Sequence, residues 1–193
     1  MSILGENMPT SRYRPAARAA VRGFSLVELV VTVVVLGVLA AIAVPRFANL
    51  IARSRLSGSA NEMVALLQTA RAEAVSGRAS ATVCPSANGT ACSATIGNRW
   101  IAVMTKNSVT TVLRDSTMNS AITIKPSANL LAGANKFTFT PNGFSAAGAN
   151  ASGTVRFCAP NLPGENAIDI GAIVGRISTR RLTSTACDVP AEY

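Results

Sequence analysis

The sequence predicts an α+β protein in which one long N-terminal helix packs on an antiparallel β-sheet domain. Residues 24–44 form an apolar run in which only Ser25, Glu28 and Thr32 are polar. A segment with apolar residues at helical spacing follows and ends near Gly77. Beyond it, short runs rich in Val, Ile, Thr and Phe alternate with turn residues, as strands do. A helical spine followed by successive strands indicates the α+β class.

The apolar run, residues 24–44, is long enough to cross a bilayer as a helix that rises about 1.5 Å per residue. The residues before it carry four arginines against one glutamate, namely Arg12, Arg14, Arg18 and Arg22 against Glu6. Positive charge stays on the cytoplasmic side, so we expect a single span with the C-terminal part exported. A plain signal peptide, cleaved near residues 40–43, is the alternative. It leaves Glu28 unexplained, because a charge inside an apolar segment is costly.

The segment at residues 46–76 continues the same helix as an amphipathic spine. Its apolar stripe recurs at spacings of three and four residues and comprises Ala60, Val64, Leu67, Ala70 and Ala74. Gly77 predicts the end of the helix, because glycine favours the backbone conformation that closes a helix C-terminus. Pro45 removes a backbone hydrogen bond within the helix and predicts a kink.

Short runs beyond the helix predict strands at residues 80–84, 100–104, 109–113, 122–125, 136–140, 154–158, 167–174 and 176–181. The second and third of these form a hairpin around residues 106–108. Pro141-Asn142-Gly143 predicts a tight turn. Residues 145–153 are almost wholly Ala, Gly, Ser and Asn, which predicts a flexible loop.

The composition argues against an enzyme. The chain has no histidine, which excludes His-based triads and histidine metal sites. Its acidic residues are scattered singly, and no glycine-rich phosphate loop of the usual patterns occurs. We therefore predict neither a catalytic site nor a cofactor.

The four cysteines allow three disulfide pairings, and an exported domain permits disulfides. We favour Cys84–Cys92, which closes a short loop with an Asn-Gly turn, and Cys158–Cys187, which would fix the C-terminal tail to a strand. A zinc site is the alternative, but neither a C-x-x-C spacing nor a histidine supports it. We predict no metal.

The start of the apolar run resembles the prepilin cleavage site of type IV pilins and type II secretion pseudopilins. The matching features are the basic leader, Gly23, Phe24, Glu28 at the fifth position after the glycine, and the apolar run. The resemblance implies that a prepilin peptidase cuts between Gly23 and Phe24 and N-methylates Phe24. It also implies that Glu28 neutralises the Phe24 amine of a neighbouring subunit during filament assembly, and that Pro45 is the helix-kinking proline such proteins often carry.

A second resemblance covers nearly the whole chain after Gly23. The segments that are similar to the GspH/FimT family of minor pilins and pseudopilins are residues 53–56, 60–62, 70–75, 83–86 and 139–143, with Cys92, Trp100 and Gly175-Arg176. The family implies a two-sheet β domain held on the helix. It also implies a place in a small initiating complex at a filament tip, in either a type IV pilus or a type II secretion system.

Three arginines near the C-terminus, Arg176, Arg180 and Arg181, are candidates for binding DNA. The net charge is +9, and removing four arginines and one glutamate with the leader leaves +6, which favours an anionic partner. On a strand, Arg176 and Arg180 share a face and Arg181 points the other way. Some DNA-binding pilins of this family carry a Gly-Arg-x-Arg motif here. Gly175 and Arg176 match it, but Ser178 does not, so a charge-protected edge strand or a subunit contact is the alternative.

These inferences divide the chain into a leader (1–23), a helix (24–76; 24–45 transmembrane, 46–76 amphipathic) and a β-rich domain (77–193). The expected function is that of a minor pilin-like structural subunit of the inner membrane, processed by prepilin peptidase and assembled into the initiating tip complex of a type IV pilus. The expected partners are other pilin or pseudopilin subunits, the peptidase and the membrane, with the C-terminal domain in the periplasm before assembly. The alternatives are a minor pseudopilin of type II secretion and a DNA-binding pilin for natural transformation.

Overall fold

A computed structural model describes residues 23–192, so the predictions for residues 1–22, including the leader arginines, lie outside the described residues. Contacts divide the chain into two compact units on either side of the bond between Ile42 and Ala43. The elements in chain order are α1 (Leu26–Gly77), β1 (Ser80–Pro85), β2 (Arg99–Lys106), β3 (Val109–Thr117), β4 (Thr123–Pro126), α2 (Ala128–Ala132), β5 (Phe137–Phe139), β6 (Ser145–Ala146), β7 (Ser152–Cys158), β8 (Ala167–Ile173) and β9 (Arg176–Leu182). The long helix and the antiparallel strands confirm the predicted α+β class.

Helix α1 has 52 residues, and its buried side chains begin at Leu56. They recur at the predicted helical spacing and comprise Leu56, Ser59, Ala60, Met63, Leu66, Leu67, Ala70 and Ala74. The helix ends at Gly77, as predicted. Arg78 then takes a positive φ of 49°, and the N–H of Ala79 donates to the carbonyl of Ala74 at 3.2 Å, which closes the helix C-terminus.

The strands form two antiparallel sheets, with the orders β3-β2-β1-β5-β6 and β4-β7-β8-β9. β2 and β3 form the predicted hairpin, in which Lys106 lies opposite Val109. Asn107 and Ser108 connect them with φ of 50° and 63°, the conformation that two-residue hairpin turns favour. Strand β9 ends the second sheet and is hydrogen-bonded to β8 alone in the described part of the chain.

One core cluster joins the C-terminal part of α1 to both sheets. Its largest members from the first sheet are Trp100, Phe137 and Phe139, and from the second Phe157 and Ile170, all with 0% exposure. Burying a side chain of this size stabilises the fold by about 1.5–3 kcal/mol. This core therefore fixes the helix from Leu56 onward against the β-sheets.

The prediction of a flexible loop at residues 145–153 is wrong. The segment contains β6 and the start of β7, and Ala147 bridges to Asn150. Its small residues reflect close packing of two backbones, because a Cβ on Gly148 would lie 2.7 Å from the Cα of Gly133. Composition alone does not distinguish such a packed segment from a loop, since glycine and alanine serve both.

The C-terminal tail, residues 183–192, lies over the second sheet on the side away from the core. Asn166 exchanges two hydrogen bonds of 2.8 Å with the backbone of Ser184. The tail is also held by the Cys158–Cys187 disulfide, by a 3.2 Å hydrogen bond from Arg156 to the carbonyl of Asp188, and by a 2.8 Å hydrogen bond from the N–H of Asn129 to Glu192. The tail is thus an integral part of the domain.

Candidate functional site

The start of α1 holds Glu28 four residues from the bond between Gly23 and Phe24. The first helical hydrogen bond runs from the N–H of Leu29 to the carbonyl of Ser25 at 3.1 Å. Glu28 is the acidic residue of the first turn and is exposed, and Phe24 is 78% exposed. A helix N-terminus carries unpaired N–H groups and the positive end of the helix dipole, which stabilise a carboxylate there. Glu28 and the predicted cleavage bond are both accessible.

The apolar segment that follows is uncovered within its own unit. The large apolar side chains from Phe24 to Ile42 are 50–79% exposed. Helix α1 is long and apolar enough to cross a membrane. Since a contiguous apolar surface of this size marks a membrane or protein contact, this segment is the part of the chain that needs an apolar environment. The helix continues through Pro45, and the kink there stays a prediction.

The cysteines form two disulfides. The structure joins Cys84 to Cys92 and Cys158 to Cys187, with Cα–Cα distances of 5.5 Å and 5.8 Å. These are the two pairs that the sequence favours, and the prediction of disulfides is confirmed. Among residues 23–192, no group of three His, Cys, Asp or Glu side chains is placed to hold a metal ion.

The structure does not gather the three C-terminal arginines into one cluster. Arg176 is exposed at the start of β9. Arg180 lies opposite Asp169 on one side of the sheet, the side that Arg176 shares by strand alternation. Arg181 is on the other side, where it donates a 3.1 Å hydrogen bond to the hydroxyl of Ser57 on α1.

A buried ion pair was not anticipated from the sequence. Arg156 donates to both carboxylate oxygens of Asp169 at 2.6 and 2.8 Å, and the side chains are only 9% and 2% exposed. The available signal is a charged residue inside each of two apolar strands, Thr-Val-Arg-Phe and Ile-Asp-Ile. Buried charges are paired as a rule, so an arginine in one apolar strand and an aspartate in another indicate that the two residues form an ion pair.

Two ion pairs at the first sheet are exposed. Glu62 of α1 accepts hydrogen bonds from Arg114 at 2.8 Å and from Ser116 at 2.9 Å, and the Arg114 contact is the main cause that lowers the pKa of Glu62. Arg99 hydrogen-bonds Asp115, which lowers the pKa of Asp115 and raises that of Arg99. The first pair ties the helix to β3.

Comparison with known protein families identifies the chain. Residues 59–173 match the family described as Type II transport protein GspH, which is more than half of the 193 residues. The chain belongs to the GspH family. Residues 18–44 match the prokaryotic N-terminal methylation motif, and this match includes Gly23, Phe24 and Glu28. Both resemblances inferred from the sequence are confirmed.

Several named proteins are similar to parts of this chain. The Type IV major fimbrial protein FimA of Dichelobacter nodosus is 53% identical over 36 residues, which cover 19% of this chain and 23% of FimA. The Type IV major pilin protein PilA of Myxococcus xanthus (strain DK1622) is 42% identical over 59 residues, which cover 31% of this chain and 25% of PilA. The crystal structure of the type IV minor pilin FimU of Pseudomonas aeruginosa (strain PAO1) matches 70% of this chain and 97% of its own at 24% identity and a TM-score of 0.48.

The chain thus combines a GspH domain with an N-terminal methylation motif, and it spans about a quarter of the length of the pilins FimA and PilA that it matches. The methylation motif and the apolar start of α1 fit a membrane-anchored pilin.

Proposed function

We propose that this protein is a minor pilin-like subunit, anchored in the inner membrane by a single span and assembled into the initiating tip complex of a type IV pilus. The observation that carries the proposal is Glu28 in the first turn of an exposed apolar helix, next to the Gly23–Phe24 bond. A carboxylate at that place is costly in a bilayer, so it needs a cationic partner. The amine that cleavage creates on Phe24 of a neighbouring subunit supplies one.

The organisation that we propose follows from this role. A prepilin peptidase removes residues 1–23 and N-methylates Phe24. Residues 24–45 then cross the membrane, residues 46–76 form the spine, and residues 77–193 form the periplasmic domain. Pro45 lies at the membrane exit, where a kink would let the spine leave the bilayer at an angle.

The experiment separates processing from assembly by comparing Glu28→Ala with Glu28→Asp in the full-length chain. The N-terminus of the membrane-bound protein is read by mass spectrometry, and incorporation is read in sheared filaments. We expect Glu28→Ala to be cleaved and to enter the membrane but to be missing from filaments, because the charge pair is lost. Glu28→Asp should be incorporated. Wild-type incorporation of Glu28→Ala would refute the role of Glu28.

The same assay addresses the alternative filament. A minor pseudopilin of type II secretion would join a different filament, but the expected role of Glu28 is the same in both filaments. Recovery of the chain with surface pili supports the pilus, whereas loss of protein secretion in a strain that lacks the chain, with pili unchanged, supports the pseudopilus.

DNA binding is the second candidate function, and one observation favours it. Arg176 is exposed and borders the same cavity as Arg71, whose Nε donates a 3.2 Å hydrogen bond to the carbonyl of Gly143. Arg181 instead contacts the helix through Ser57. Binding a phosphate backbone requires several cations at fixed positions on one surface. Strand β9 carries its three arginines on two sides of the sheet, so it presents fewer cations on one surface than its sequence contains.

A further inference from the structure

Strand β8 is buried under helix α1, whereas the next strand, β9, is only partly covered, with Ile177 packed against the core and Arg181 hydrogen-bonded to Ser57 of the helix. Ile168 lies opposite Arg181, and Ile170 lies opposite Thr179, so each pair shares one face of the sheet. On β8 the two isoleucines are 4% and 0% exposed. On β9 both Thr179 and Arg181 are exposed. Burial on this face therefore decreases from β8 to β9 and is lowest at Thr179 and Arg181.

The space beside β9 is a groove between the helix and the strand, which we call the α1–β9 groove. Two cavities of 960 and 400 Å³ follow one another along it. The helix wall repeats at spacings of three and four residues and consists of Asn61, Val64, Gln68, Ala72 and Val75. The strand wall repeats at every second residue and consists of Ile177, Thr179 and Arg181.

The strand wall also offers hydrogen-bonding groups. In the described chain, β9 is hydrogen-bonded to β8 alone, so its other edge is open to a further strand beside the groove. Every second residue of an edge strand turns its N–H and C=O away from its neighbour. An open strand edge beside an amphipathic helix face is an arrangement that accepts an added peptide strand. From Ile177 to Arg181 this edge extends about 13 Å, which accommodates about five residues of an extended peptide.

The chemistry of the groove selects the kind of peptide. The charged residues among the lining residues are Arg71, Arg181 and, at the end of the groove, Arg176, whose side chain is on the other side of β9 by strand alternation; all three are positive. Small apolar side chains such as Val64 and Val75 lie between them. No aromatic ring lines the groove, so base stacking has no platform there. An extended segment with acidic and small apolar residues fits both the charge and the width.

We propose that an acidic, extended segment of a neighbouring filament subunit adds to the free edge of β9 in the α1–β9 groove. The segment becomes a fifth strand of the four-stranded sheet, and its carboxylates meet the arginines of the groove. This proposal rests on the proposed function, which supplies the neighbouring subunit. A second copy of this chain is disfavoured as the partner, because its net charge is +9 before processing and remains positive afterwards.

Site-specific photocrosslinking in the full-length protein tests this directly. The photoreactive residue p-benzoylphenylalanine replaces Thr179, which faces the groove, or Lys125, the matched control that is exposed on β4 at the opposite edge of the same sheet. We expect position 179 to form an adduct that mass spectrometry assigns to an acidic extended segment of another filament subunit. Position 125 should not give that adduct. Equal adducts at both positions, an adduct with a helix, or an adduct with nucleic acid or lipid overturns the proposal.

A second set of variants blocks the groove without touching the core. Ala72→Trp fills the helix side, and Arg181→Glu reverses a charge on the strand wall of the groove; both positions are exposed. Each should lower the yield of the 179 adduct about tenfold, the size expected for loss of one charge-assisted contact or of access. Lys125→Glu, exposed on β4 at the opposite edge of the sheet, is the charge control and should leave the yield unchanged. An unchanged yield in both groove variants contradicts strand addition.

Incorporation into filaments is measured in the same samples. Absence of the 179 adduct overturns the groove proposal in every case. If the chain is nevertheless present in filaments, the proposed function stands without the groove. If the chain is absent from every filament fraction, the proposed function fails as well.

Discussion

Replacing Asp169 by alanine should be among the most destabilising single changes in the β domain. The carboxylate accepts two hydrogen bonds from Arg156, and the two side chains are 2% and 9% exposed. Removing one member of a buried ion pair leaves the other charge in a low-dielectric environment, which typically costs 3–5 kcal/mol, so we expect a loss of about that size. For a domain of this length each kcal/mol corresponds to about 2–4 °C in Tm, so the midpoint should fall by roughly 6–20 °C.

The assay can be read from a single internal probe. The chain has one tryptophan, Trp100, and it is fully buried in the core. Its fluorescence during heating or urea titration of the full-length protein in detergent therefore reports unfolding of the β domain. Asp115→Ala is the matched control, because its ion pair with Arg99 is exposed and solvent screens it. We expect that control to shift the midpoint only slightly.

The double variant Arg156→Met with Asp169→Leu separates two explanations. If the cost of Asp169→Ala comes from an uncompensated buried charge, the apolar pair should recover much of the stability, since replacing both partners by apolar groups is often neutral. A loss of less than about 1 kcal/mol for Asp169→Ala, the range of exposed pairs, would refute the reasoning. So would a double variant that is less stable than either single one.

Three further predictions concern charge, crosslinks and DNA. The hydrogen bond from Arg114 lowers the pKa of Glu62 in the folded protein, so its stabilising contribution is present above the ordinary pKa of a glutamate and is lost as the pH falls through the lower folded value. Glu62→Gln should therefore remove part of the fall in Tm that occurs below the ordinary pKa of a glutamate. Replacing Cys158 and Cys187 by serine opens a loop of 29 residues and should cost about 3–4 kcal/mol, about 1 kcal/mol more than opening the other disulfide loop of 8 residues, and equal losses in urea titrations would contradict the loop-entropy argument. If DNA binding occurs, Arg176→Ala should weaken binding of duplex DNA and reduce the slope of its salt dependence by about one charge; binding that is absent at low salt removes this candidate function.

The sequence predicts the helix, most strands and the favoured disulfide pairs because each depends on local pattern. Helical spacing specifies which face of α1 is buried, and a two-residue turn specifies the β2–β3 hairpin. Ala60 and Leu67 illustrate this, since both are buried where the stripe predicts. The packed segment at residues 145–153 is not predicted by the sequence. Its small residues allow close contact with the backbone near Gly133, and local composition does not reveal a contact with a distant part of the chain.

In the candidate site, too, the sequence predicts the features that depend on local spacing but not those that depend on tertiary contacts. The relation of Glu28 to the Gly23–Phe24 bond is a matter of spacing, so the sequence suffices to place it. The roles of the C-terminal arginines depend on what each meets across the fold. Alternation correctly predicts that Arg181 faces away from Arg176 and Arg180, but only the tertiary structure shows Ser57 of the helix opposite it. The α1–β9 groove likewise depends on how far the helix extends over the sheet.

The C-terminal tail shields the buried ion pair on the side away from the core. Arg156 and Asp169 belong to β7 and β8, and the carbonyl of Asp188 accepts a further hydrogen bond from Arg156. The Cys158–Cys187 disulfide holds this part of the tail in place. A chain whose cysteines are oxidised into another pairing should therefore expose Arg156 to water and be cut more readily by proteases within residues 183–192.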